Sequence, residues 1–68
     1  MYLIQNINTK EYVKGPVIML SNTEWTKHIQ KAAIFTQLDI VHTIRKNVLY
    51  YQKLETQILK IVLEIMEN

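Results

Sequence analysis

The chain has no cysteine, one glycine, one proline, one tryptophan and one phenylalanine. Without cysteine there is no disulfide, no thiolate zinc site and no thiol nucleophile. A single glycine, Gly15, excludes the glycine-rich loops whose backbone amides cradle phosphate. The same scarcity of Gly and Pro argues against a disordered linker or a low-complexity tail. No apolar run approaches the roughly 20 residues that cross a bilayer. The opening MYLIQNINTK lacks the basic, apolar and small-residue regions of a secretory signal, so the expectation is a soluble cytoplasmic protein. No internal repeat is visible.

Catalytic groups are equally sparse. Ser21 is the only serine and stands at a helix-start signal, without a base and an orienting acid in evident reach. His28 and His42 are far apart in sequence and fall on polar helix faces, which solvated side chains explain. The six acidic residues are scattered, and none lies in an apolar context that would raise its pKa. The reading is a non-enzyme with no metal and no cofactor.

What the 68 residues do contain is apolar material, 49% of the chain. A domain this small buries only about 60% of its unfolded surface, so a dense core or an association partner has to support it. Charge is unevenly placed. Up to Lys53 there are seven Lys/Arg against three acids, and from Leu54 onward one lysine against three. A basic body with an acidic end can attract an acidic partner or a copy of itself.

Along the chain, YLIQN and EYVK read as two strands joined by the polar turn INTK. Alternation puts Tyr2 and Ile4 on one face, and Tyr12 and Lys14 together on a face of the second strand. Gly15 and Pro16 end the hairpin, and VIML at 17 to 20 reads as a third strand or an edge segment. In SNTEWTKHIQKAA, Ser21 and Glu24 form a capping-box pattern, with Trp25, Ile29, Ala32 and Ala33 on one helical face. The alternative is an extended Trp25 with Thr26 capping a shorter helix. Both versions make residues 27 to 33 helical. IFT then interrupts the pattern as a short strand or link.

Thr36 and Asp39 repeat the cap pattern and open a longer helix, 37 to 51. Ile40, Val41, Ile44, Val48 and Tyr51 share its apolar face, opposite Asp39, His42, Thr43 and Lys46. Asp39 at the start, and Arg45 and Lys46 toward the end, agree with the helix dipole. The tail from 54 to 66 fits two periods. As a strand it lines up Leu59, Ile61, Leu63 and Ile65; as a helix it lines up Leu54, Ile58, Ile61, Val62 and Ile65. Its β-branched density favours the strand, while the lack of Gly or Pro after residue 37 leaves nothing obvious to stop the preceding helix.

The expected fold is therefore a single α+β domain over residues 1–68. A small antiparallel sheet, made of the N-terminal hairpin and a C-terminal strand, packs against one short and one longer amphipathic helix. Its core is expected to hold Trp25, Ile29, Phe35, Val41, Ile44 and Val48. The polar surfaces left for a protein partner are Lys27, His28 and Lys31 on the short helix, and His42, Arg45, Lys46 and Lys53 on and beyond the long one. A homodimer through the tail or helix is a second outcome. The alternative is a nucleic-acid accessory using Lys10, Tyr12 and Lys14, with Tyr2, since aromatic residues and lysines on a sheet hold single strands by stacking and charge. The amphipathic helix is not basic enough to suggest a membrane surface.

The order of YLIQN, EYV, Trp25, HIQKAAIFTQLD, a helix and an apolar tail resembles small phage- and prophage-encoded proteins of Gram-positive bacteria. The matching positions are Tyr2, Tyr12, Trp25, Ala32 or Ala33, Phe35 and Thr36. The resemblance spans most of the chain and rests on packing and capping positions, so it carries over no functional residue. It implies a context: a phage or mobile-element protein in the host cytoplasm that binds a host protein, as host-takeover and anti-defence factors do, CRISPR inhibitors among them.

Overall fold

The structure, a computed structural model, describes residues 1–62. Four strands, β1 (Tyr2–Asn6), β2 (Tyr12–Val13), β3 (Trp25–Thr26) and β4 (Thr56–Lys60), form an antiparallel sheet in the order β3-β2-β1-β4. Among the described residues one helix, α1 (Leu38–Asn47), runs on into a π turn at Val48–Gln52, and a single 3₁₀ turn covers Ile29–Lys31. The α+β class, the hairpin, the longer helix and the C-terminal strand stand as the residue pattern indicates.

The hairpin forms because Asn6 turns the chain. Its Oδ1 accepts the backbone amides of Asn8 and Thr9, at 2.9 and 3.2 Å. Lys10, with φ 64, then brings the chain back into β2. The pairing of Gln5 with Tyr12 and of Ile4 with Ile58 sorts the faces. Ile4 and Val13 join Val41, Ile44 and Val48 of the helical segment and Ala33 in one buried cluster, with Tyr2, Trp25, Phe35 and Ile58 packed around it. The other face carries Leu3, Gln5 and Gln57, where Gln57 Nε2 donates to Gln5 Oε1 and Gln5 Nε2 to the Lys10 carbonyl.

Beyond β2 the chain wraps back along the same line. Lys14 bridges Ala32 and Tyr2 bridges Phe35, so residues 32 to 35 lie in extended backbone against the hairpin. Gly15 permits this approach, because a Cβ there would stand 3.1 Å from Ala33 Cα.

Several sequence expectations are corrected. VIML is not a strand, and Ile18 within it is 89% exposed. No helix follows Ser21: Trp25 and Thr26 pair with Val13 and Tyr12 as β3. The short helix of 27 to 33 shrinks to one 3₁₀ turn, preceded by Thr26 Oγ1 accepting the His28 amide. The wrap-back explains this, since the amides of Gly15 and Ala33 are engaged across the hairpin, with Lys31 and Val13 respectively. Ile29 consequently points outward, 55% exposed, and is not core. Trp25 and Phe35 are half-buried against the core rather than at its centre. At the start of α1 the cap is Gln37, without a side-chain cap bond, and not Thr36.

The end of α1 differs for a physical reason. Closing one turn as i to i+5 inserts a residue, so the inward position after Val48 passes from Tyr51 to Gln52. Tyr51 is then 62% exposed. Ile40 also lies outside the buried cluster. Lys53, left-handed with φ 58, stops the helical segment where glycine would be expected. In β4 the core-facing residue is Ile58, and Leu59 lies on the opposite face, across from Leu3. Ile61 and Val62 follow the strand; Leu63 and Ile65 lie outside the described residues.

Candidate interaction surface

Val41, Ile44 and Val48 face the sheet, so the adjacent stripe presents His42, Arg45 and Lys46 of α1 and Leu49 of the π turn at the side of β4. Arg45 fixes the geometry. Its Nε donates to Thr56 Oγ1 at 3.0 Å and its Nη2 to the Thr56 carbonyl at 2.9 Å. This two-point bond ties the helix to the first residue of β4. Between them opens a groove of about 620 Å³, closed on its other sides by Ile7, Leu54 and Glu55. Its wall is aliphatic, with three basic side chains against one carboxylate.

Three of the residues singled out from sequence, His42, Arg45 and Lys46, thus share one site. Arg45 is spent mainly on structure, while His42 and Lys46 are exposed. Lys53 stands outside the groove, with its ammonium 5.3 Å from the centre of the Tyr50 ring. Lys27, His28 and Lys31 are exposed around the 3₁₀ turn. None of the three lines the groove.

The hairpin set does not form a stacking platform. Tyr2 packs against the core, whereas Tyr12 pairs with Gln5 on the opposite face. Lys10 occupies the left-handed turn position, and Lys14 Nζ lies 3.9 Å from Glu24 in an exposed ion pair.

Sequence reasoning missed the exposed side chains of the π turn that follows the groove. Leu49 is 55% exposed, Tyr50 69%, and Tyr51 stands edge-on to Tyr50 with centroids 4.8 Å apart. The loop of residues 17 to 24 lies at the same end. Asn47 Nδ2 donates to the Leu20 carbonyl, and Gln52 Nε2 to Thr23 Oγ1. That loop leaves Ile18 and Met19 exposed beside the tyrosines' end of the helix. The adjacent Tyr pair was visible, but helical period placed Tyr51 inward, and only the π turn reverses it.

Among the described residues no three His, Cys, Asp or Glu side chains converge as a metal set, and no helix is long and apolar enough to cross a membrane. No protein-family description, curated protein or solved structure matches the chain.

Proposed function

We propose that this chain is a small non-catalytic binding module that acts by occupying a surface on another protein. The observation that carries the reading is a basic, aliphatic groove lined by His42, Lys46 and the exposed Leu49, with exposed Tyr50 and Tyr51 following on the same π turn. Tyrosine and arginine beside aliphatic side chains are the residue types that dominate protein interfaces, and exposed apolar patches of this kind mark interaction sites. In the setting that the sequence resemblance implies, a phage or mobile element, the partner is a host protein in the cytoplasm, such as a defence nuclease.

The nucleic-acid reading draws less support, because Tyr2 and Tyr12 occupy opposite faces of the sheet. One comparison tests both. Tagged wild-type protein should retain a discrete host protein that the variant Lys46→Glu/Tyr50→Ser/Tyr51→Ser loses, with the variant still folded. Oligonucleotides should show no mobility shift at low salt, where phosphate contacts are strongest. Retention unchanged by the triple variant removes the groove from the reading. A shift abolished by Lys10→Glu/Lys14→Glu favours the nucleic-acid accessory instead.

A further inference from the structure

β4 is an edge strand, paired only with β1 among the described residues. The register shows which of its backbone groups face outward. Ile7 N donates to the Glu55 carbonyl and Ile61 N to the Met1 carbonyl, so the odd-numbered residues of this strand face β1. In an antiparallel ladder the alternate residues then direct their amides and carbonyls away. Those residues are Thr56, Ile58 and Lys60. Arg45 takes the Thr56 carbonyl. Among the described residues no backbone hydrogen bond reaches the outward groups of Ile58 and Lys60.

Lysine side chains flank this edge, with Glu55 as the carboxylate of the adjoining groove. Lys60 lies on the helix side, paired across from Tyr2, and Lys46 projects from α1 into the groove lined by Thr56 at the other end of the strand. We propose that the edge of β4 accepts an extended segment of a partner protein as a fifth strand, and that this segment alternates acidic with aliphatic side chains. Its backbone pairs with Ile58 and Lys60. Its carboxylates face the helix side, toward Lys60 and Lys46, and its aliphatic residues point to the other face of the sheet, beside Leu59.

Charge decides between this occupant and a second copy of the chain. A two-fold pairing of β4 with itself in full overlap sets Lys60 against Thr56 of the other copy, where that copy's Arg45 is bound. Cation then faces cation, which disfavours the pairing. A nucleic acid could meet the cations but could not complete a strand ladder.

The inference rests on the protein-binding reading and deepens it. The test titrates the full chain, ¹⁵N-labelled, with the capped peptide acetyl-Glu-Val-Glu-Val-Glu-Val-Glu-amide, and with the same peptide carrying Lys for Glu. The expected result is saturable shifts centred on the Ile58 and Lys60 amides, with slowed hydrogen exchange at both, for the Glu peptide alone. Lys46→Glu should weaken the binding about tenfold, as loss of a contact charge does. Lys60→Pro should also abolish it; an outward amide is one that proline can replace without breaking the pairing with β1. Unchanged hairpin shifts establish that both variants fold.

Equal binding of the Lys peptide, shifts centred elsewhere, or no saturable change up to about 1 mM peptide, the weak end of specific affinity, overturns the proposal. So do matching shifts from oligothymidylate. A host protein that is retained but leaves Ile58 and Lys60 unperturbed overturns the edge alone and leaves the protein-binding reading standing.

Discussion

Trp25 and Gln52, 27 residues apart, are joined by a hydrogen bond from the indole Nε1 to the side-chain carbonyl at 2.9 Å. The amide end of Gln52 donates to Thr23 Oγ1 at 2.7 Å and to the Thr23 carbonyl at 3.3 Å. One glutamine therefore ties the outer strand β3 and the segment before it to the π turn. The turn places it there, since a regular helix would have directed Tyr51 inward instead.

Gln52→Ala should cost about 2 kcal/mol, because it leaves the part-buried indole N–H and the Thr23 hydroxyl without their partner. Urea unfolding of the variant measures the loss. Gln52→Glu keeps the acceptor for the indole and should lose less. Equal losses for the two would contradict this role.

Trp25 and Ile29 should separate clearly. Trp25 packs on the core from β3, so Trp25→Ala is expected to cost about 3 kcal/mol, the lower end for a large aromatic that is only half-buried. In a domain of this size that is much of the total stability, and the chain should unfold before any binding is specifically lost. Ile29→Ala should stay within about 0.5 kcal/mol, as for other exposed sites. Thermal melts of both variants, run side by side, check the contrast.

Arg45→Met should destabilise by about 1.5 kcal/mol. It removes two charge-assisted bonds to Thr56 but keeps the aliphatic stem that packs against the groove. Arg45→Lys should recover only part of this, because an ammonium cannot reproduce the planar two-point geometry. Faster hydrogen exchange in β4 with an unchanged β1–β2 hairpin would locate the effect.

Lys10→Gly is expected to stabilise the protein by about 0.5 kcal/mol, since Lys10 sits at φ 64, where a side chain costs energy and glycine does not. Denaturation midpoints measure it. The same variant removes a charge from the hairpin, so unaltered partner binding would further separate Lys10 from the interaction surface.

Local sequence carried a good part of this fold. The polar turn around Asn6, the β-preferring stretch on each side of it, the run of Val41, Ile44 and Val48, and the β-branched segment at Thr56–Lys60 each follow from period and turn chemistry within a few residues. His42 and Lys46 were legible as one cluster because a helix places them a turn apart.

What local patterns could not fix was decided by bonds between distant residues. The capping signals at Ser21 and Thr36 were overridden, the first where β3 pairs with β2, the second where Gln37 takes the cap. The wrap-back against Gly15 exposed Ile29, and the π turn exchanged Tyr51 for Gln52. Helical and strand periods state which residues can share a face. Which face turns inward depends on where the rest of the chain supplies backbone partners, and that is set only when the sheet closes. The groove beside β4 belongs to this second kind, since Arg45 and Thr56 meet only in the folded protein.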